Sequence, residues 1–411
     1  LWTRLRADPQ QLFLLCWLLL PLTVFFLARS RLPLYVLPCF APLALLVAQS
    51  GKTVVVVDNQ SVPERTDQNR DVRTVAISAG SRAILERAGT WRMGRFPMCP
   101  ITDIQILDGD GPEVFLEFDV KEVQGDAFGH IVDNVDLRRA LIEDAAQNPN
   151  ITHLLQDSLT EWRVENDAIF ARTKNGEEIT AKLLVGADGR MSDVRKQAGL
   201  AQFGWTYNES AVVCTIGHEN PHCNIAVERF RDTGPFAVLP MMDAEDGLHR
   251  SAIVWTLREG DPRLKVVPQQ DIQNLLPSFY GAITYMGKTQ AYPLVMKQSY
   301  KMIAERVALI ADAGHAIHPI AGQGLNVGLR DVAELADLLA VAGDPGSVSV
   351  LAEYDRKRRA DVVSMSIFTD KLNRLFGTTF APIRWARQIG LKAVAATPVI
   401  KQFFMKRAMG F

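Results

Sequence analysis

The residues best placed to do chemistry lie within positions 308–339, ALIADAGHAIHPIAGQGLNVGLRDVAELADLL. The run RVALIAD predicts a buried strand that ends at Asp312, whose carboxylate can accept hydrogen bonds from hydroxyl groups. Gly322 and Gly324 leave the next turn without bulky side chains, and LNVGLRDVAELADLLA predicts a helix whose unpaired N–H groups point back into that turn. A bound ring that becomes negatively charged would be stabilised there by about 0.3 to 2 kcal/mol.

Two histidines in the same stretch, His315 and His318, have the spacing HxxH. A metal site is the weakest interpretation, because the pair lies on a turn and no third ligand accompanies it. Acid or base catalysis is a second interpretation, and a structural role or a place in a pocket wall is the one that we favour. His318 and the adjacent Pro319 are therefore pocket candidates, and no catalytic residue is assigned with certainty.

A second acid lies between small residues in AKLLVGADGRMSDVRKQAGL, residues 181–200. The pattern predicts a strand, the turn GADG, and a helix that Ser192 caps and that runs to Gly199. An acid in such a turn can bind polar groups that bulkier neighbours would exclude, so Asp188 is a candidate cofactor ligand.

A third acid, Asp58, ends the β-branched run KTVVVVD at residues 52–58. The preceding APLALLVAQSG predicts a helix that Gly51 closes. Helix, glycine, strand and acid form the second half of a dinucleotide-binding βαβ unit, in which the acid binds ribose hydroxyls. An aspartate that merely ends a strand in a turn explains Asp58 equally well.

The first half of that unit is missing from its expected place. A strand and the pattern GxGxxG should precede the helix, because glycine lets the backbone approach a pyrophosphate at a helix start. The sequence there is YVLPCFAPLA, which contains no glycine, and Cys39 lies only 19 residues before Asp58.

The elements that position these acids alternate between strands and helices in a chain of 411 residues, of which 48% are hydrophobic. This size suffices for two or three domains of the α/β class. The formal net charge of −1 gives no basic field for nucleic acid, and no zinc or RNA-binding motif is found in the sequence. Five scattered cysteines without a CxxC pair favour reduced thiols in the cytoplasm over a disulfide framework.

One segment departs from this picture. Residues 12–28, LFLLCWLLLPLTVFFLA, form an uncharged run of 17 residues, which is the lower limit for a membrane-spanning helix, and Pro21 would kink it. Three explanations stay open: a signal anchor, a buried core helix, or a segment that is not the natural partner of the rest of the chain.

Taken together, the motifs resemble a known family. The combination of GADGxxSxVR with a strand, ADxxHxxxPxxGQGLNxGLRD and a helix is similar to the single-component FAD-dependent aromatic hydroxylases of the p-hydroxybenzoate hydroxylase type. The stretches DVRTVAISAGSRAILERAGTW, AVERFRDTGPFAVLPM and AYPLVM further resemble the branch that hydroxylates polyprenyl phenols in ubiquinone biosynthesis. The resemblance covers roughly residues 41–411.

The resemblance implies an α/β fold with a discontinuous three-layer FAD-binding domain, an inserted β-sheet substrate domain and a C-terminal helical region. The expected boundaries are an apolar N-terminal segment at 1–33, the FAD-binding domain at 34–80, 125–198 and 298–342, the substrate domain at 81–124 and 199–297, and the C-terminal helices at 343–411.

The same resemblance implies how FAD is held. Asp312 matches the acid that binds the ribityl chain, and Asp58 matches the acid that binds the adenosine ribose. Arg73 matches an arginine that reaches the phosphates, while Asp188 lies in a motif that contributes to both FAD and NAD(P)H binding. The residues that match the loop beside the flavin ring are Gly322, Gly324, Leu325 and Asn326. Family members usually have glycine where this chain has Ala311, so the methyl group is expected to crowd the cofactor without excluding it.

The implied activity is monooxygenation: hydroxylation of a polyprenyl phenol ring in ubiquinone biosynthesis, with NADPH or NADH as transient reductant and O2 as oxidant. The flavin supplies this chemistry at its C4a atom, while the protein orients the ring and excludes water. Two other functions stay open. The missing glycine loop and Ala311 favour a non-catalytic relative with impaired FAD binding, and residues 12–28 favour a membrane-tethered quinone-binding protein.

Residues 200–300 predict short strands separated by turn residues, as in the sheet that covers the substrate in this family. Trp205, Phe236, Pro240 and Trp255 are candidates for lining an apolar cavity, although core packing is the better interpretation of each.

The last part of the chain is basic: from Asp355 onward it carries 12 Lys or Arg and three acids. Solvated helix faces explain most such runs, and a basic amphipathic surface on anionic lipid is the alternative. The expected location is the cytoplasm, peripheral to the inner membrane, with a membrane surface or a ubiquinone-biosynthesis complex as partner. For the first 40 residues, a shifted reading frame or a recombined N-terminus is the first hypothesis and a membrane anchor the second.

Overall fold

The structure is a computed structural model that describes residues 39–62, 73–318, 322–378 and 380–410. The apolar segment 1–33 and the pocket candidate Pro319 lie outside these residues. Within the ranges given, no helix is both long enough and apolar enough to cross a bilayer.

Helices and strands alternate along the described chain. The helices are α1 (Phe40–Gln49), α2 (Ala79–Arg87), α3 (Asn134–Ala146), α4 (Asp193–Gln197), α5 (Gln269–Leu275), α6 (Gln323–Val341), α7 (Val348–Phe376), α8 (Ala381–Ala396) and α9 (Pro398–Met409). The strands are β1 (Val54–Asp58), β2 (Thr74–Ser78), β3 (Met98–Ile101), β4 (Asp103–Asp108), β5 (Val114–Asp119), β6 (Gly129–Asp133), β7 (Ile151–Leu155), β8 (Leu159–Glu165), β9 (Ala168–Thr173), β10 (Glu178–Ala181), β11 (Leu184–Gly186), β12 (Gln202–His218), β13 (Ile225–Phe230), β14 (Phe236–Met241), β15 (His249–Arg258), β16 (Ile283–Ser299), β17 (Ile303–Ala304), β18 (Val307–Leu309) and β19 (His315–Ala316).

The helix predicted before Asp58 is present as α1, and it is buried along almost its whole length. Every residue from Ala41 to Ala48 is buried, and the helix packs against α3, α6 and β1. Gly51 follows the helix with φ +82°, a conformation that favours glycine, and its N–H donates to the Ala48 carbonyl at 3.0 Å. The predicted helix and its closing glycine are confirmed.

Two parallel strand pairs carry the three acids. β1 pairs with β7, and Asp58 is the last residue of β1. β11 pairs with β18, with Gly186 opposite Leu309, so the segments that lead to Asp188 and Asp312 leave the pair side by side. The second strand ends earlier than predicted, at Leu309, and Asp312 lies in a single 3₁₀ turn, residues 311–313.

An eight-stranded sheet forms the other large part, in the order β19-β16-β12-β15-β14-β13-β4-β5. The prediction of short strands is wrong for β12 and β16, which are 17 residues long each. Their pairing is interrupted by irregularities between Thr206 and Ser210 and between Val213 and Thr215, which let one long strand bend.

Side chains alternate across this sheet, and both of its faces are covered. One face, which includes Val227, Val238 and Ile253, packs in a core with residues of α5. The C-terminal helices lie over the other face, where α8 contacts β5 and the buried Arg387 of α8 forms an ion pair with Asp108 of β4. The predicted α/β class, with a large sheet and C-terminal helices, is confirmed.

Candidate active site

A cavity of about 970 Å³ brings most of the predicted site residues together. It runs from the glycine turn before α6 across one face of the eight-stranded sheet to helices α7, α8 and α9. The predicted site residues that line it are Arg73, Asp312, His318, Gly322, Gly324, Leu325 and Asn326. Asp58 and Asp188 do not line it.

The glycine turn has the geometry of a close approach to a ligand. Gly322 has φ +63°, and a Cβ added there would lie 3.1 Å from the Cβ of Ala76. A Cβ added at Gly324 would meet nothing within 4 Å, so the first turn of α6 is open towards the cavity. The unpaired N–H groups of a helix start favour a group with negative charge at this place.

Asn326 fixes this turn against β2. Its side-chain oxygen accepts a hydrogen bond from the Ser78 N–H at 3.0 Å, and its Nδ2 donates to the Ala76 carbonyl at 3.0 Å. Nδ2 also lies 3.2 Å from the Gly322 carbonyl. The amide therefore holds the helix start in place.

Asp312 lies at the edge of the cavity, beside an arginine that the sequence analysis did not single out. The Nε of Arg190 is 3.8 Å from an Asp312 carboxylate oxygen, and the two side chains are 15% and 12% exposed. Burial raises the pKa of Asp312 to about 6, although Arg190 and His315 lower it. A partner that donates hydrogen bonds would therefore stabilise the carboxylate.

A buried cluster of charged groups, centred on α6, holds the backbone before Asp312 in place. Asp331 of α6 is fully buried and accepts hydrogen bonds from the Ala311 N–H at 2.8 Å, from His315 at 2.6 Å and from Arg358 at 2.7 Å. Burial alone would raise the pKa of Asp331, but His315 and Arg358 outweigh it and lower this pKa. His315 thus has the structural role that the sequence analysis favoured.

Ala311, the departure from the family glycine, lies in the left-handed region with φ +49°. A Cβ added at Gly328 would lie 2.8 Å from the Ala311 Cβ, so the methyl group faces α6. Ala311 is 5% exposed and does not line the cavity, which differs from the expectation that this methyl group crowds the cofactor.

His318 is fully buried in the cavity wall. Its Nε2 lies 3.9 Å from a carboxylate oxygen of Glu209, and its ring contacts Tyr207 edge-on with centroids 4.8 Å apart. In the part of the chain that the structure describes, no cluster of His, Cys, Asp or Glu could hold a metal ion.

Asp188 serves the helix that follows it. One carboxylate oxygen accepts from the Ser192 hydroxyl at 2.5 Å, and the other from the N–H groups of Asp193 and Val194 at 2.7 and 3.1 Å. Ser192 caps α4, as predicted, through a hydrogen bond from the Arg195 N–H. The predicted role of Asp188 in cofactor binding stays a prediction, and Arg190 is the residue of this turn that faces the cavity.

Asp58 retains an unused hydrogen-bonding atom. The residue is 6% exposed; Oδ1 accepts from the Gln60 N–H at 3.0 Å, whereas the buried Oδ2 has no partner among the described residues. A buried carboxylate oxygen without a donor costs free energy unless a ligand supplies one.

The hydrogen-bonding and charged side chains described above fit the two ends of the flavin dinucleotide that the sequence resemblance implies. Asp58 and Asp312 offer carboxylate oxygens to sugar and ribityl hydroxyls. Arg73 and Arg190 bring positive charge to the cavity that Asp312 lines, whereas Asp58 lies outside this cavity. The open helix start at Gly324 can face a ring that becomes anionic.

The four aromatic and proline candidates do not line the cavity. Phe236 and Trp255 are buried in the core on the opposite sheet face, Pro240 is buried, and Trp205 is 40% exposed. Core packing, the favoured interpretation, is confirmed for Phe236 and Trp255. The cavity wall consists instead of their neighbours along the strands, including Ala237, Leu239, Val254 and Thr256.

Comparison with known proteins places these observations in a family. The FAD binding domain family matches residues 38–368. The ubiquinone hydroxylase UbiL of Rhodospirillum rubrum is 37% identical over 377 residues, which cover 90% of this chain and 86% of the relative. The 3-demethoxyubiquinol 3-hydroxylase of Escherichia coli K12 is 32% identical, with coverage of 90% and 95%.

Solved structures support the fold. The p-nitrophenol 4-monooxygenase PnpA of Pseudomonas putida DLL-E4 superposes with a TM-score of 0.76 at 21% identity, covering 90% of this chain and 95% of the other. The family match and the two identities above 30% show that the chain belongs to the FAD binding domain family, as a flavin-dependent aromatic-ring monooxygenase.

Proposed function

We propose that the chain hydroxylates the ring of a prenylated phenol in ubiquinone biosynthesis, with FAD as cofactor, O2 as oxidant and NADPH or NADH as reductant. The names of the two relatives, a ubiquinone hydroxylase and a 3-demethoxyubiquinol 3-hydroxylase, support the pathway. The observation that carries the proposal is the apolar cavity that connects the glycine turn with the C-terminal helices.

The shape and lining of this cavity suit a ring with a long apolar tail. Near β2 it is lined by Ala76, Ile101 and Phe128, and at its other end by Leu375, Leu391 and Val394. A cavity that held only a small polar phenol would not need an apolar extension of this kind, because burying apolar surface stabilises binding by about 25 cal/mol per Å².

Within this proposal, FAD would be held by Asp58, Arg73, Asp312 and the loop 322–326. When bound, FAD would supply the redox chemistry between the reduced nicotinamide and O2. Asp312 accepts hydrogen bonds, the start of α6 stabilises negative charge, and the apolar walls exclude water from the ring.

The division into domains is part of the same proposal, with the boundaries expected from the sequence. The cofactor part comprises 34–80, 125–198 and 298–342, and the substrate part 81–124 and 199–297. The parallel pairing of β1 with β7 and of β11 with β18, in small sheets apart from the eight-stranded sheet, supports this division.

Activity and cofactor can be tested on the purified full chain. A flavin absorbance spectrum, oxidation of NADPH or NADH, and incorporation of one ¹⁸O atom from ¹⁸O₂ into a short-chain prenylated phenol are expected. A colourless protein that binds no added FAD would instead support the non-catalytic relative, and quinone binding without any flavin spectrum would support the quinone-binding protein.

The C-terminal helices support a second element of the proposal, contact with an anionic lipid surface. Apolar side chains are exposed on α8 and α9, including Trp385 at 68%, Val399 at 79% and Phe403 at 63%. The exposed basic residues Lys392 and Lys406 lie on the same two helices. Apolar side chains among basic ones are typical of surfaces that rest on anionic headgroups.

Vesicles test this contact. The chain is expected to sediment with vesicles that contain phosphatidylglycerol and much less with pure phosphatidylcholine vesicles. The double variant Trp385→Glu and Phe403→Glu should reduce sedimentation, whereas Val114→Glu, at an exposed apolar position in β5, should not. Equal sedimentation of wild type and double variant would contradict the proposed contact.

A further inference from the structure

Glu228 of β13 is a carboxyl group inside the apolar part of the cavity. Its neighbours across the sheet are Ile106 on β4 and Ala237 on β14, and the same row continues to Val254 and Val213. All five residues line the cavity, and the other four are apolar. Because side chains alternate along a strand, Glu228 faces the cavity whereas Val227 faces the opposite core.

Among the residues that the structure describes, none is a partner of this carboxyl group. No hydrogen bond or ion pair joins Glu228 to another described residue, although charged groups line the same cavity. These are Arg73, Arg190, Asp312, Arg387 and Arg407, with His318 and Tyr292 as further titratable groups. Burial raises the pKa of Glu228 to about 7, and no charged neighbour contributes to this shift.

An apolar residue at this position would cost nothing in hydrogen bonding and would suit the surrounding wall. Glu228 is half-buried, and its carboxyl group lies in an apolar wall without a donor from the described residues. Such a placement is unfavourable for a charged group, and groups of this kind mark places where function is favoured over stability. The missing donor would therefore come from a ligand.

The position along the strand fits a ligand with a polar ring and an apolar tail. Two residues before Glu228, Ala226 packs in a cluster that includes Ala76, the neighbour of Gly322. Two residues after it, Phe230 stacks on Phe376 at the end of α7. Glu228 thus lies between the glycine turn and the region under the C-terminal helices.

We propose that Glu228 binds the ring hydroxyl group of the phenol substrate, accepting its hydrogen bond and orienting the ring within the cavity. This inference rests on the proposed function, because it assumes a phenol as substrate. The hydrogen bond also increases the electron density of the ring, which favours the addition of an electrophilic oxygen atom.

Binding of matched ligands tests the proposal without turnover. The probes are 2-prenylphenol and its methyl ether, which keeps the ring and the prenyl group but carries a methyl group in place of the hydroxyl donor. Both are titrated into the holoenzyme at about pH 8, above the pKa of the carboxyl. Glu228→Met should weaken binding of the phenol by about 10- to 100-fold and leave binding of the ether unchanged within about 3-fold. Glu228→Gln, whose amide oxygen still accepts, should lie between wild type and Glu228→Met.

Glu117→Gln and Glu117→Met are the matched controls. Glu117 lies on β5 of the same sheet, is exposed, and accepts a hydrogen bond from Gln105. These variants remove the same charge and should bind both probes as wild type does. Glu228→Met should also raise the melting temperature, since it replaces an unpaired, half-buried carboxyl in an apolar wall with an apolar side chain.

Several results would overturn the proposal. One is an unchanged preference for phenol over ether in Glu228→Met, and another is a fall in its melting temperature, which would show that the carboxyl serves the fold. Failure of the proposed function is a separate result: wild type would then lack NAD(P)H-dependent incorporation of oxygen, whatever the Glu228 variants bind.

Discussion

The two ends of the proposed cofactor site differ in how firmly their residues are held. At the flavin-ring end, Asn326 joins the glycine turn to β2, and Asp331 joins the turn before Asp312 to α6 and α7. At the adenosine end, the Asp58 side chain accepts a single hydrogen bond, from the Gln60 N–H, and its Oδ2 has no partner among the described residues. Val55, three residues earlier in β1, is 44% exposed.

This difference matches the sequence, which has no glycine before Gly51 and therefore none at the place of the expected phosphate loop. The ring end is organised before the cofactor arrives, so little ordering cost is expected on binding there. We expect stability to depend on the ring end, and the adenosine end to contribute mainly cofactor affinity.

The largest expected effect comes from removing Asp331. Asp331→Ala should lower the free energy of unfolding by about 3 to 5 kcal/mol, because it leaves Arg358 buried without this partner and the Ala311 N–H without an acceptor. Urea denaturation measures the change. Asp337→Ala, on the same helix but with a carboxylate that is 63% exposed, is the control and should change stability by less than about 1 kcal/mol.

If Asp331→Ala does not fold, Asp331→Asn keeps the shape and one acceptor and should show a smaller loss. A cost below about 1 kcal/mol for both variants would show that the ring end is not held by this cluster, and the contrast between the two ends would be lost.

A pH series sharpens the contrast at Asp312. Its pKa is raised to about 6 by burial, so the folded state is favoured while the carboxyl is protonated, and this advantage is lost as the pH rises through about 6. In FAD-free protein, the resulting decrease in the free energy of unfolding should approach about 3 kcal/mol by pH 7. Asp312→Asn has no titrating carboxyl at this position and does not undergo this loss. The stability of the variant relative to wild type should therefore increase from about pH 4 to pH 7.

Urea denaturation of both proteins across this range gives the difference directly, and groups that titrate alike in both proteins cancel. A difference that does not change with pH would mean that Asp312 is solvated in the folded protein, contrary to its position in the cavity wall.

A packing test addresses the contact between Ala311 and α6. Gly328→Ala would place a Cβ 2.8 Å from the Ala311 Cβ and 3.0 Å from the Cys39 sulfur, at an expected cost of about 1 to 3 kcal/mol. The double variant Ala311→Gly with Gly328→Ala should recover at least about 0.5 kcal/mol, because the two sites are in contact. Gly324→Ala, with open space around its Cβ, is the control and should not destabilise FAD-free protein.

Purely additive effects of the two substitutions, measured by thermal unfolding, would show that the methyl group at position 311 is not what limits the space beside α6. The expectation that this methyl group crowds the cofactor would then be open again.

Local rules were enough to predict the elements that carry the acids. Gly51 after α1 and Ser192 before α4 follow from the conformational freedom of glycine and from the capping of helix N–H groups, both of which depend on adjacent residues. The end of the parallel strand before Asp312 was predicted three residues too late, because an apolar run does not show where pairing stops.

Contacts between distant parts of the chain could not be predicted in this way. The sequence does not show that the Asp188 carboxylate accepts hydrogen bonds from N–H groups of α4. Nor does it show that Arg190, two residues later, lies beside Asp312. The face to which Trp255 or Glu228 points depends on strand register, and an error of one residue reverses every side chain. In the same sheet, the irregular pairing between β12 and β16 shifts the register twice, which the sequence pattern alone does not show.

The smallest expected effect belongs to the adenosine end and concerns affinity rather than stability. Asp58→Asn should weaken FAD binding by about 3- to 10-fold, because a hydrogen bond from a sugar hydroxyl to a carboxylate is replaced by a weaker one to a neutral amide. Stability of the FAD-free protein should stay within about 0.5 kcal/mol, since one hydrogen bond from Gln60 can be kept by the amide oxygen. Fluorescence titration with FAD measures the affinity, with Asp337→Asn as the control. A loss of stability larger than the loss of binding free energy would mean that Asp58 is a strand-ending residue that serves the fold, which is the alternative that its sequence context left equally open.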